Sequence, residues 1–176
     1  MQIYFETEHL LVRELEPEDA EQLYANHAEE KVKQWFPNEC YADLDEAKGA
    51  IQFFRDCVDG NHLPFVLAIQ LKETGELIGD TGVSEVDGEP EAVEIGYQIC
   101  DRYSGRGLAT EVLRAMTEFA FARFHANVSY GRVVHGNGAS ARVLEKGGYT
   151  FVREEFGAED DPYGNGMLVF VYRKEA

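Results

Sequence analysis

Apolar residues recur along this chain with two periods that change places repeatedly, and the alternation predicts strands and helices in one mixed fold. Positions 8–15 alternate as a strand. Pro17 with Glu16, Glu18 and Asp19 supplies the proline and acids that suit a first helical turn, so a helix is expected from there to about residue 28. Residues 33–41, with Trp35, Phe36 and Pro37, lack a clean period and read as a loop or short helical turn. Ala47, Ala50, Ile51, Phe54 and Val58 share one side of a helix expected at about 45–58, capped by Asp43 or Asp45. Three strands follow at 64–71, 77–86 and 92–100, separated by the hairpin signals Thr74-Gly75 and Asp87-Gly88.

After a glycine turn, Leu108, Val112, Met116, Phe119 and Ala120 recur on one helical face, a spacing that marks a core-facing stripe ending near residue 124. A strand at 128–135, a helix from Asn137, and strands at 150–155 and 167–174 complete the pattern, with residues 156–166 an acidic, Gly- and Pro-containing connection. The sum is an α+β fold, a mostly antiparallel mixed sheet flanked by helices. No repeat, low-complexity tract or linker interrupts it, and 176 residues suit one domain over 1–176.

Charge narrows the partners. Thirty-three acidic against 16 basic residues leave a net charge of −17, which opposes nonspecific attraction to nucleic acid or an anionic membrane. The same excess favours a cationic substrate, although it also serves simply to keep a surface solvated. No apolar run approaches the roughly 18 residues of a membrane span, and Met1-Gln2-Ile3-Tyr4-Phe5-Glu6 lacks the basic flank and apolar core of a secretory signal, so a cytoplasmic protein is expected. Cys40, Cys57 and Cys100 are odd in number and far apart, which points to reduced thiols. The histidines, His9, His27, His62, His125 and His135, form no H-x-x-x-H pair, and no metal is expected.

The chemistry concentrates where the strand Ala92-Val93-Glu94-Ile95-Gly96-Tyr97-Gln98-Ile99-Cys100 runs into Arg102-Tyr103-Ser104-Gly105-Arg106-Gly107-Leu108-Ala109-Thr110. Two close glycines opening a helix let unpaired N–H groups and the positive end of the helix dipole converge on one spot that suits a pyrophosphate. G-x-G also begins at Gly136 and Gly164, but only the pair at Gly105 has a strand before it and a helix after it. A dinucleotide fingerprint would need Gly or Ala where Thr110 stands, and a P-loop would need a Gly-Lys pair, which the chain lacks. A second segment, Asn137-Gly138-Ala139-Ser140-Ala141-Arg142-Val143-Leu144-Glu145-Lys146-Gly147-Gly148-Tyr149, opens a helix at Asn137 and ends it through glycine. Together the two segments resemble the GCN5-related N-acetyltransferase (GNAT) superfamily. The likeness extends from Glu8-His9-Leu10-Leu11-Val12-Arg13 through Tyr172 and is greatest to the ribosomal-protein N-terminal (RimJ/RimL-like) branch.

The resemblance implies an acetyl-CoA-dependent N-acetyltransferase that moves an acetyl group to a primary amine, a small molecule or a peptide amino terminus, by direct attack in a ternary complex. It implies that backbone around Tyr97, Gln98 and Ile99 holds the pantetheine arm. Gly105, Arg106, Gly107, Leu108, Ala109 and Thr110 would hold the pyrophosphate with Arg102 beside them, and Asn137 is either a helix cap or a ligand contact. Glu94, among Val93, Ile95, Tyr97 and Ile99, is the candidate base, because apolar neighbours would raise a carboxyl towards a useful pKa. Strand alternation also allows it to be a solvated outer-face residue. Many relatives carry a tyrosine acid where this chain has Leu144, which leaves Ser140 as the hydroxyl for the departing thiolate. Tyr103 and Tyr149 read as packing residues. Trp35, Phe36 and Tyr41, with Glu154-Glu155 and Glu159-Asp160-Asp161, are candidate substrate walls. Two other readings stand beside this one: covalent transfer through Cys100, and a CoA-binding sensor or scaffold without catalysis. The sequence leaves room for a homodimer.

Overall fold

The computed structural model describes residues 1–157 and 166–175. Among the described residues, eight strands form one sheet: β1 (Ile3–Glu6), β2 (Leu10–Arg13), β3 (Phe65–Leu71), β4 (Leu77–Glu85), β5 (Ala92–Ile99), β6 (Val128–Val134), β7 (Thr150–Glu155) and β8 (Met167–Arg173), in the order β1-β2-β3-β4-β5-β6-β8-β7. Five helices accompany them: α1 (Ala20–His27), α2 (Glu30–Trp35), α3 (Leu44–Asp59), α4 (Leu108–Phe124) and α5 (Gly138–Lys146). Neighbouring strands run antiparallel except β5 and β6, which the crossover through α4 makes parallel.

Alternation along the strands sorts the two faces. Leu67 and Ile69 of β3, with Val93, Ile95 and Ile99 of β5, pack against Leu108, Val112 and Met116 of α4 and Leu144 of α5. Ala68, between the first two, joins Leu15, Leu23 and Ile51 under α1 and α3 on the other face. Glu94, Gly96 and Gln98 therefore point towards the α1 side, and Gln98 Nε2 reaches the Asn26 carbonyl there at 3.5 Å. Tyr97 points the other way, towards α5.

The predicted mixed sheet and its helices are present, with two local differences. β1 has no counterpart in the sequence reading: four half-exposed residues at a sheet edge carry little pattern, and Tyr4 and Phe5 are fixed by Phe65 and Phe119 at ring distances of 5.4 and 5.2 Å. The helix expected from Pro17 opens as a 3-10 turn, Pro17–Asp19, before α1. Residues 33–41, read as a loop or short helical turn, hold the end of the short α2, which stops before Pro37, and a second 3-10 turn, Pro37–Glu39. Asp43 is the cap of α3, accepting from Glu46 N at 2.9 Å.

The strand pairing below the site leaves no room at Gly79, where a Cβ would lie 1.9 Å from the Gln98 carbonyl oxygen. Gly79→Ala is expected to force β4 away from β5 and to lower stability by about 3 kcal/mol, measured by urea unfolding. An unchanged unfolding midpoint would show that the β4–β5 spacing does not constrain the fold.

Candidate active site

β5 and β6 pair only at Ala92↔Val128, Val93↔Ser129 and Glu94↔Tyr130. Beyond Glu94 they part, and the edge of β5 loses its ladder partner. A cavity of about 460 Å³ lies along this opening. Tyr97, Gln98 and Ile99 line its β5 edge, and Gly105, Gly107, Leu108, Ala109 and Thr110 line one end. Asn137 and Ser140 of the α5 segment form the opposite wall, with Trp35 and Phe36 over them.

At the glycine end the backbone does the work. Gly105 and Gly107 have φ of +76° and +78°, a region that glycine enters without strain. Gly107 caps α4 and offers no side-chain oxygen to the first turn, so those amides face the cavity without a protein partner. Such a terminus suits an anion. The predicted arginines are arranged differently from expectation. Arg102 pairs with Glu76 and Arg106 with Glu73, both guanidinium groups lie over the Tyr103 ring at 5.3 and 5.5 Å, and neither lines the cavity. The cations on the wall are Lys31, Arg142 and Lys146. Lys31 also donates to the Ile99 carbonyl, one of the groups at the free edge of β5.

Asn137 caps α5 and orients Ser140 at once. Its Oδ1 accepts from Ser140 N at 3.3 Å, which fixes the amide so that Nδ2 donates to Ser140 Oγ at 3.1 Å. The Ser140 hydroxyl hydrogen is left free to donate into the cavity. Tyr97 Oη, whose pKa is raised by burial, donates to the Ser140 carbonyl at 3.4 Å. Leu144 is buried core, and its side chain fills the space that a Cβ on Gly131 would take. Tyr149 is a packing residue whose hydroxyl bridges Thr117 and Ser129 at 2.7 Å each.

A second cavity, of about 270 Å³, adjoins the first through Phe36, Tyr97 and Ser140. Glu94 lines it, but not in the apolar setting expected from its strand neighbours. Alternation turns Glu94 away from Val93 and Ile95, and its Oε2 meets Arg132 Nη1 at 2.5 Å, while Arg132 Nε also reaches Glu155 at 3.3 Å. Beside it, Gly96 presents no side chain and open space. Glu39 lines the same cavity and was missed in the sequence, because residues 33–41 carry no periodic signal to mark it. Burial first, and Asp80 next, push its carboxyl up to about 7, with His27 pulling down and Glu94 adding to the rise. Tyr41, expected as a substrate wall, instead lies against the His27 ring at 5.0 Å and lines neither cavity. Asp160 and Asp161, with Glu159, lie outside the described residues.

Beneath this region His27 is buried between Asp80, 2.6 Å from Nε2, and the Glu39 carbonyl, 2.7 Å from Nδ1. Burial works against its charge, but the Asp80 carboxylate and the two bonds outweigh it and raise the pKa to about 9. Both ring nitrogens therefore donate. Cys100 is buried, and burial, with Glu29 behind it, raises its thiol to about 11, which gives no support to the covalent route. Among the described residues no three His, Cys, Asp or Glu side chains gather as a metal site, and no helix is long and apolar enough to cross a membrane.

Comparison with known proteins finds relatives over most of the chain. The family described as acetyltransferase (GNAT) domain matches residues 9–150. Uncharacterized N-acetyltransferase p20 of Bacillus licheniformis is 29% identical over 167 residues, covering 94% of this chain and 91% of its own. Among solved structures, the ribosomal L7/L12 α-N-protein acetyltransferase RimL, in complex with coenzyme A, superposes with a TM-score of 0.83 at 16% identity, covering 98% of both chains. The ribosomal-protein-S5-alanine acetyltransferase of Vibrio fischeri gives 0.82 at 19% identity, covering 97% of this chain and 96% of the other.

The buried His27–Asp80 pair sets a pH dependence of stability. The folded pKa of about 9 lies above the unfolded value of about 6.5, so the contribution is fully present below pH 6.5 and is lost as pH rises through about 9. At about 1.4 kcal/mol per unit, the decline is on the order of 3 kcal/mol. Urea unfolding between pH 6 and 10 should show that decline in the wild type and a much flatter profile in His27→Gln. Parallel profiles would mean that His27 is neutral in the fold.

Proposed function

The chain belongs to the GNAT family of acetyltransferases and is an N-acetyltransferase, and from that premise we propose that it transfers the acetyl group of acetyl-CoA to a primary amine, a peptide amino terminus or a small cationic amine, by direct attack in a ternary complex. The observation that carries this reading is the meeting of the free β5 edge with the uncapped N-terminus of α4 in one cavity. Acetyl-CoA supplies an activated thioester. The glycine turn and first-turn amides of α4 fit its pyrophosphate, helped by the cations Lys31, Arg142 and Lys146 on the wall. Tyr97 and Ile99, on either side of Gln98, offer strand-edge backbone to the pantetheine arm. The acceptor enters through the second cavity, so that the two substrates meet near Tyr97 and Ser140, which line both.

Chemistry then asks for a free amine. An α-amine, with a pKa of about 8, is partly protonated at neutral pH, and a lysine-type amine, at about 10.4, almost wholly so. Glu94 meets the ammonium group and starts its proton outward, directly or through a water. Ser140, with its oxygen already accepting from Asn137, donates its hydrogen towards the departing sulfur, whose thiol pKa of about 8.5 makes it a tolerable leaving group. Carboxylates on the acceptor side and a net charge of −17 favour a cationic acceptor, and the same charge disfavours nucleic acid. We place the protein in the cytoplasm, where three free thiols remain reduced.

Two measurements test the reading. Gly107→Glu puts a carboxylate where the pyrophosphate approaches, and calorimetry should show CoA affinity reduced by about a hundredfold or more, whereas Gly107→Ala, which carries the same backbone strain without charge, should keep most of it. Equal affinity in folded Gly107→Glu contradicts the cofactor site. Glu94→Gln should lower turnover by about a hundredfold with CoA affinity little altered. Wild-type turnover in that variant would make Glu94 only the partner of Arg132.

A further inference from the structure

The N-acetyltransferase reading needs a group that holds a proton near neutral pH, and Glu94 is poorly suited to do so alone. Its carboxylate faces Arg132 at 2.5 Å, and taking a proton would cost it that charge-assisted bond. The other carboxylate lining the acceptor cavity is Glu39. It ends the 3-10 turn Pro37–Glu39, and its backbone is pinned from below: His27 donates through Nδ1 to the Glu39 carbonyl at 2.7 Å and through Nε2 to Asp80 at 2.6 Å. The anchor is buried between α1 and β4, so the start of the Glu39 side chain is fixed by the core. Part of the residue's surface is open to solvent, while its carboxyl sits among protein atoms at the cavity wall.

We propose that Glu39 is a second catalytic residue, the final acceptor of the proton that leaves the ammonium group past Glu94, with His27 as its positioning residue. This rests on the N-acetyltransferase reading and divides the work between two carboxylates: Glu94, bonded to Arg132, attracts and orients the cation, and Glu39 stores the proton. The step balances as follows in atoms and charge. The ammonium group gives one N–H proton to the Glu39 carboxylate, and the freed lone pair forms the N–C bond to the acetyl carbonyl. The C–S bond breaks with its electron pair leaving on the CoA sulfur, which takes the second N–H proton. Glu39 then returns its proton to solvent, so that the net products are the acetylamide, CoA thiol and one proton.

The charges around Glu39 favour this use. It is faced by His27 from α1, Asp80 from β4, Glu94 from β5 and Tyr41 from the segment after its own turn, with Arg132 of β6 across the cavity. Burial first, then Asp80 and, less, Glu94 push the carboxyl up against the pull of His27, to about 7. An ordinary glutamate, near 4.3, would be a far weaker base towards an α-amine of about 8.

The test is the pH dependence of kcat/KM for the full chain with acetyl-CoA and a panel of short peptides with free amino termini and polyamines. Glu39→Gln should lower the rate at pH 7 by about tenfold to a hundredfold, and the loss should shrink above the pKa of the acceptor amine, where no base is required. The acidic limb should move from about 7 to the amine's own pKa. Glu39→Asp should fall between the two, and KM for acetyl-CoA should stay constant in both. A wild-type rate and profile in Glu39→Gln, or a loss equal at every pH, overturns the inference while leaving the N-acetyltransferase reading intact. A wild type that acetylates no member of the panel overturns both.

Discussion

The site depends on the parting of β5 and β6. β6 is paired along its whole length with β8, from Val128↔Arg173 to Val134↔Met167, and follows that partner when it leaves β5 after Glu94. Peptide groups at a sheet edge must find other partners or water. Here the Lys31 ammonium serves one of them at Ile99, and the remainder border a cavity. α4, which crosses from β5 to β6, begins at the mouth of the same opening. One topological feature therefore supplies both a strand edge for an extended chain and a helix terminus for an anion.

Packing of α5 completes the cleft. Gly131 has no side chain, so Leu144 settles onto β6 with its Cδ2 in the space that a Cβ there would take. This close approach brings Ser140 to the wall beside Tyr97. Charge is then divided across the opening. Lys31, Arg142 and Lys146, with the single carboxylate of Asp101, line the larger cavity, and Glu39 and Glu94 line the smaller one, with the imidazolium of His27 and the guanidinium of Arg132 each holding one part of the acidic set.

Much of this was legible in the sequence. The Gly105/Gly107 turn needs no tertiary knowledge, because a strand, two glycines and an amphipathic helix in succession determine where the free amides lie. Asn137 and Ser140 were legible for the same reason, their relation being local. What escaped depends on distant partners. Lys31 reaches Ile99 across 68 positions and Glu94 meets Arg132 across 38, so that neither the cation on the wall nor the ion pair of the expected base has a local signature. Arg102 and Arg106 were assigned to the pyrophosphate by proximity in sequence, but acidic residues on the β3–β4 connection, Glu73 and Glu76, engage them. Glu39 and Tyr41 sit in the aperiodic segment, where only the buried His27–Asp80 pair decides which side chain faces the cavity and which the core.

On the proposed function, one cleft, bounded by the free edge of β5 and the start of α4, would receive the cosubstrate. Amide hydrogen exchange with and without coenzyme A tests it residue by residue. Added protection is expected at residues 97–99 and 105–110, with β1 to β3 little changed. Protection spread evenly over the chain, or confined to segments away from these two, would contradict it.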